Sequence, residues 1–169
     1  MEKDIKDRLK AAMNGDRDAF CAVYEQMKTP VFTVAYRITQ SHELAEDITQ
    51  DVFLKLLSLP YDTSVKKPRA FIFRIAHNSA IDALRKRRDT AELGDYAHPA
   101  EDFLSDRIAV RLDIEKAMGY LGETEREIVS LRLNGGLTYA ETARVVGMSL
   151  AAVYRAYRRA LKTLQTLLN

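Results

Sequence analysis

A single cysteine, Cys21, stands in 169 residues. An intramolecular disulfide is therefore impossible and a cysteine-rich zinc site is excluded, so Cys21 is expected to pack within a helix. No apolar run approaches the roughly 20 residues that a membrane-spanning helix needs. The first residues, MEKDIKDRLK, are charged and contain no apolar signal region. No membrane insertion is expected, and a cytoplasmic protein is the plain reading. Strand-like alternation is missing as well, which leaves helical period as the secondary-structure signal. The histidines, His42, His77 and His98, share no metal-ligand spacing, and no nucleophile accompanies them. Without a convergent acid, base or nucleophile set, the chain does not read as an enzyme: no catalytic residue, no metal and no cofactor is expected.

What is present is charge in blocks. The net charge is only +2, but it is a cancellation. Lys66, Lys67, Arg69, Arg74, Arg85, Lys86, Arg87 and Arg88 face one acid, Asp82, between positions 66 and 88. Eight acids then face Arg107 and Arg111 between Asp89 and Glu115, and from Leu150 onward Arg155, Arg158, Arg159 and Lys162 face none. Blocks of one sign imply charged partners. The hydrophobic fraction, 47%, can supply a core for one compact domain or two small ones.

Turn signals divide the chain into helical segments. Asn14-Gly15-Asp16 ends a first short helix. A second starts near Asp16 or Asp18 and runs to Lys28, and Pro30 is expected to break or kink it before a further stretch from Val31 to about Thr39. Ser41 is a plausible N-cap for the next helix. There, Leu44, Ile48, Val52 and Leu56 form a buried stripe, and Glu43, Asp47, Gln50 and Asp51 form an acidic, amide-bearing ridge opposite it. Leu59 to Pro68 is a proline-bounded loop, with Pro68 in the first turn of a helix that runs to about Arg88. Residues 89–101 read as a linker, and a second helical unit starts between Asp102 and Arg107. In it, Thr124 and Glu127 have capping-box spacing, Gly135-Gly136 stops a helix, and Thr138 and Glu141 repeat the capping-box spacing.

Two stretches carry function. In TYAETARVVGMSLAAVYRAYRRAL, Thr138 caps a short helix, Ala143 leaves room for a close second helix, Gly147 suits a left-handed turn, and Ser149 caps the next helix. The buried stripe of that helix is expected to be Val153, Tyr157, Leu161 and Leu164. Two helices joined by a short glycine turn make a helix-turn-helix, whose second helix reaches base edges with its N-terminal residues. Those residues are Leu150, Ala151, Ala152, Tyr154 and Arg155, while Arg158, Arg159 and Lys162 suit phosphates. A helical hairpin that binds no DNA would carry the same caps. In FIFRIAHNSAIDALRKRR, Arg74, Asn78, Asp82 and Arg85 share one face, Ile72, Ile75 and Leu84 can face a core, and Arg85 to Arg88 give a dense positive end. A basic end also complements the helix macrodipole, so taken alone it is a solvated face. Together with an amide, an acid and a downstream helix-turn-helix it points to nucleic acid. Of Phe71 and Phe73, at least one is expected in the core, and the other could stack on unpaired bases.

These residues resemble the sigma factors of bacterial RNA polymerase, specifically the short extracytoplasmic-function type of the sigma-70 family, over nearly the whole chain. AEDITQDVFLKLL resembles the family's core-binding helix, PRAFIFRIAHNSAIDALRKRR its promoter-melting helix, and LGETEREIVSLRLNGGLTYAETARVVGMSLAAVYRAYRRAL its C-terminal domain. The resemblance implies an all-α chain of two small helical domains joined by a linker, the C-terminal one a helix-turn-helix. It assigns 1–88 to core binding and the minus-ten element, 89–101 to the linker, and 102–169 to the minus-thirty-five element. The implied core-polymerase contacts are Asp47, Gln50 and Asp51. Those for the minus-ten element are Arg74, Asn78, Asp82, Arg85, Arg87 and Arg88, with an extruded base held by the loop from Tyr61 to Lys67. Those for the minus-thirty-five element are Ser149, Ala151, Ala152, Tyr154, Arg155, Arg158 and Arg159. The implied partners are core RNA polymerase, promoter DNA both double-stranded and melted, and an anti-sigma factor. Gly122 stands where the family usually has proline, and Ala151, Ala152 and Tyr154 make the recognition helix unusually apolar. A stand-alone helix-turn-helix regulator is the alternative, but it leaves the acidic ridge and the first basic helix without a role.

Overall fold

The computed structural model describes residues 2–60, 65–91 and 106–168. They form helices α1 (Glu2–Met13), α2 (Arg17–Thr39), α3 (His42–Ser58), α4 (Pro68–Ala91), α5 (Asp106–Gly119), α6 (Glu123–Leu133), α7 (Tyr139–Val146) and α8 (Leu150–Leu168). The fold is all-α, two small helical domains of four helices each. The last three residues of α4 extend past the expected boundary at Arg88, and residues 92–101 of the expected linker, with 102–105 of the expected second domain, lie outside the described residues.

In the first domain, Ile5 and Leu9 of α1, Val23, Met27, Val31 and Val34 of α2, Ile48, Val52 and Leu56 of α3, and Ile72, Phe73, Ala76 and Ala80 of α4 close one core. Asp16 caps α2 by accepting from the Ala19 N–H at 3.0 Å, and Ser41 caps α3 by accepting from the Leu44 N–H at 3.3 Å. The expected break at Pro30 is absent, since α2 runs unbroken through it. Proline removes one helical hydrogen bond. The residues on either side, Met27 and Val31, both face the same core, and their burial holds the two halves in one helix. Cys21, expected to pack, is exposed on the far side of this stripe.

The second domain packs Met118 of α5, Leu121 of the turn that follows it, Ile128 and Val129 of α6, Ala143 of α7, and Val153, Ala156, Tyr157, Ala160 and Leu164 of α8 around a separate core. The stripe of α8 differs from expectation at one place. Leu161 is exposed and Ala156 and Ala160 are buried instead, which lets α8 approach its neighbours closely. The Thr138–Glu141 capping box is present: the Thr138 N–H donates to Glu141 at 2.8 Å, and the Glu141 N–H donates to Thr138 at 3.2 Å. The expected Thr124–Glu127 box is not. Gly122 occupies the N-cap of α6 with no side-chain cap, and Glu127 reaches across to the first domain.

The two domains are docked. Leu131, Leu137 and Val145 belong to the second domain by sequence but complete the core of the first. The turn that carries Leu137 requires its glycines. A Cβ on Gly135 would lie 2.5 Å from the Leu131 carbonyl oxygen, and Gly136 is left-handed at φ 65°. The Arg69 guanidinium donates to the Gly135 carbonyl at 3.0 and 3.2 Å and so clasps this turn from α4.

Candidate nucleic-acid interface

The α3 ridge is displayed as its period demands. Glu43, Asp47, Gln50 and Asp51 are exposed, and Ile48, Val52 and Leu56 are buried opposite. Asp47 and Asp51 form one wall of a broad groove of about 590 Å3 between α3 and α4, while Lys86 and Arg87 form the other. Gln50 lies outside that groove. Leu54 and Leu57, both exposed, extend the ridge with an apolar end. A surface of carboxylates beside two leucines is complementary to one that carries cations and apolar side chains.

On α4, Arg74, Asn78, Asp82 and Arg85 are exposed together on one face. Asp82 and Arg85 pair with each other one turn apart, a surface contact that exchanges easily for a ligand. Arg87 is half-buried in the groove, and Arg88 pairs with Glu123 of the second domain at 2.6 Å. Phe73 is fully buried, whereas Phe71 stays half-buried with the Arg74 guanidinium 5.9 Å from its ring centre. Phe71 is therefore the aromatic side chain available for stacking. It lines a cavity of about 330 Å3 with Lys66, Lys67 and Arg74 from the first domain and Glu141 and Arg144 from the second. Of the loop expected to hold an extruded base, residues 61–64 lie outside the described residues.

The helix-turn-helix comprises α7, a turn with Gly147 at φ 71°, and α8. Ser149 caps α8 by accepting from the Ala152 N–H at 3.2 Å. Ala151, Tyr154 and Arg155 are exposed on the first turns, and Ala152 is half-buried. Arg158 lies 6.0 Å from the Tyr154 ring, and Arg159 pairs with Glu125 of α6 at 3.0 Å. Arg132 braces the motif from behind, its guanidinium 4.0 Å from the Tyr139 ring and 5.4 Å from that of Tyr157. The first turns of α8 thus project freely, and Arg159 further along is tied to a carboxylate.

Sequence reasoning did not single out Arg37, Arg69 and His77, which hold the domains together. Arg37 donates to Glu115 at 2.8 and 3.1 Å and to Asn134, and His77 lies 3.2 Å from Glu127. A signal existed. Arg37 interrupts the buried run Val34, Ala35, Ile38, and His77 sits between the buried Phe73, Ala76 and Ala80. A polar side chain at a core position requires a partner. The carboxyl of Glu123 is held below its usual 4.5 by the hydrogen bond and charge of Arg88. For Glu141, burial pushes the carboxyl up, but the Thr138 N–H and hydroxyl, together with Lys67, outweigh it, so it too lies below 4.5.

Residues 23–90 match the Sigma-70 region 2 family, and residues 111–164 match Sigma-70 region 4. The chain belongs to the sigma-70 family, as a sigma factor of the extracytoplasmic-function type. The ECF RNA polymerase sigma factor SigK of Mycobacterium ulcerans is 27% identical, with 98% of this chain and 94% of that protein covered. SigK of Mycobacterium bovis is 24% identical over 100% of this chain and 96% of that one. Among solved structures, CnrH in complex with the cytosolic domain of CnrY superposes with a TM-score of 0.69 at 25% identity, covering 95% of this chain and 94% of that one. The sigma factor RpoE in complex with the anti-sigma factor NepR from Bartonella quintana superposes at 0.68 and 24% identity, covering 88% and 96%. No helix among the described residues is long and apolar enough to cross a membrane.

Proposed function

We propose that this sigma factor binds core RNA polymerase through the α3 ridge, with Asp47, Gln50 and Asp51 as contacts, and directs initiation at promoters whose minus-ten and minus-thirty-five elements it reads. Residues 1–88 act on the polymerase and the melted minus-ten strand, and 102–169 act on the duplex at minus-thirty-five. The observation that carries the reading is the division of one small all-α frame into three exposed surfaces of different chemistry. One is acidic on α3, one is basic with an available aromatic on α4, and one is a helix-turn-helix with its first turns free. A stand-alone regulator would need only the third.

On α4, Asn78 and Arg85 supply hydrogen bonds to base edges, Phe71 stacks on an unpaired base, and Arg74, Arg87 and Arg88 neutralise phosphates. On α8, Arg155 is the base-reading arginine, Ala151 and Ala152 offer contact to thymine methyl groups, and Ser149, Arg158 and Arg159 bond phosphates, with Tyr154 packed beside them. The fold shared with sigma factors crystallised with anti-sigma partners makes such a partner a candidate here also. The test is run-off transcription with core polymerase on a genomic promoter library. Discrete start sites with a shared upstream pattern are expected. Failure to co-purify with core polymerase, with DNA binding intact, would leave the stand-alone regulator.

A further inference from the structure

The exposed side of α8 divides into two stripes of different chemistry. At 3.6 residues per turn, Ala151, Arg155, Arg158 and Lys162 fall in one outward line, and Leu150, Tyr154 and Leu161 fall along the flank beside it. All seven are exposed. Leu150 and Tyr154 are 54% and 47% exposed at the first turns, although both are large and mostly apolar. Tyr154 is also held in place. Its ring lies 5.4 Å from that of Tyr139, which the Arg132 guanidinium covers at 4.0 Å, and the Arg158 guanidinium lies 6.0 Å from it. A side chain fixed between neighbours loses little freedom on binding, so its contact is preorganised.

What these turns can recognise follows from the side chains they lack. From Ser149 to Lys162 there is no Asn, Gln, Asp or Glu. A bidentate amide reads adenine and a carboxylate reads the amino group of cytosine, so neither base has its usual partner here. Arg155 can read guanine, while Ser149 already accepts the Ala152 N–H. Apart from one tyrosine hydroxyl, Leu150, Ala151 and Tyr154 offer only apolar surface. In the major groove, the apolar group on a base edge is the C5-methyl of thymine. Cytosine methylated at C5 displays the same group at the same place.

We infer that Leu150, Ala151 and Tyr154 form a patch that reads C5-methyl groups, on thymine and 5-methylcytosine alike, so that recognition of the upstream element responds to cytosine methylation. The inference rests on the proposed function, which seats α8 in the major groove.

The full chain, alone and with core polymerase, is used to enrich sequences from a random duplex pool. Fluorescence anisotropy then measures the enriched duplex in altered forms. Uracil in place of a single thymine removes one methyl group and changes nothing else on the base. Each contacted methyl lost should weaken binding about fourfold, the partition of one carbon between water and apolar surface. Where a contacted T·A pair is replaced by C·G, the 5-methylcytosine duplex should bind about fourfold tighter than the cytosine duplex. Tyr154→Phe should keep both ratios, because the hydroxyl is not the reader. Leu150→Ser, Ala151→Ser and Tyr154→Ser together should bring both ratios close to one. Arg158→Ala should weaken the thymine and uracil duplexes by the same factor.

Equal affinity for thymine and uracil at every position of the enriched pattern overturns the inference and leaves the proposed function resting on Arg155. A methyl effect that survives the triple serine change overturns it too, since the methyl group would then act through another surface or through the shape of the duplex. Should the triple change misfold, Tyr154→Ser alone should lower the ratios, and the comparison on the parent chain needs no variant. An enriched pattern without co-purification with core polymerase would remove the proposed polymerase role, while the uracil comparison still decides the inference. No enriched pattern under either condition removes α8 as a duplex reader and overturns both.

Discussion

Single carboxylates on this protein do different jobs according to what lies beside them. Asp47 and Asp51 are exposed, so replacing both with Lys should change folding stability by less than about 0.5 kcal/mol. Binding to core polymerase in a pull-down titration should nevertheless fall sharply, and an unchanged affinity would return the ridge to a solvated face. Glu123 and Glu141 are the opposite case, since both are held below 4.5 by groups that the folded chain brings to them. The unfolded chain therefore takes up protons first as the pH falls. The stability these groups contribute is fully present above 4.5 and is lost as the pH drops through their depressed folded values. Urea midpoints should be flat from neutral pH down to that point and decline below it. Glu123→Gln should make the decline shallower, and an identical acid profile would show that Arg88 does not hold the carboxylate in solution.

Two helices carry element-scale consequences. α2 retains helical geometry through Pro30, although an interior proline is about 3 kcal/mol less favourable than alanine. Pro30→Ala restores a backbone donor where the helix already exists, so the urea midpoint should rise with an unchanged m-value. A lower midpoint would mean that the proline ring contributes packing that outweighs the lost bond. α8 should respond differently along its length. Arg158→Ala should weaken binding on all DNA sequences and reduce the log–log salt slope by roughly 0.9. Arg159→Ala should do less, because Glu125 already competes for that guanidinium. Arg155→Ala should relax preference at particular base pairs, at about 1–3 kcal/mol if it makes a bidentate guanine contact. Binding of the full chain to single-base promoter variants at two salt concentrations separates these outcomes. An equal shift on every variant would make Arg155 another backbone contact.

At the scale of the molecule, the two cores are not independent. Leu131 is buried in the core of the first domain, so truncating it should be felt in both. Leu131→Ala should cost about 2–5 kcal/mol. Scattering at neutral pH should show expansion before secondary structure is lost, because the second domain retains its own core of Ile128, Val129, Val153 and Tyr157. A single cooperative loss of helix and compactness together would show that neither domain stands without the other.

The amino-acid order alone determined the helices, their caps and the faces they display. Period, glycine turns and capping residues act over a few residues, so Ser41, Thr138, Gly147 and Ser149 could be read where they stand. The ridge Asp47, Gln50 and Asp51 and the exposed set Asn78, Asp82 and Arg85 were legible for the same reason. Where local rules failed, a distant contact overrode them. Burial of Met27 and Val31 in one core kept α2 unbroken through Pro30, and the docking of Glu127 against His77 took the residue that would have closed a capping box at Thr124. Only the tertiary structure could decide that Arg88 answers to Glu123 rather than to solvent, and that Arg37 and Arg69 clasp a domain far along the chain. Charge in a sequence says that a partner is needed, but which partner it finds depends on the geometry of approach.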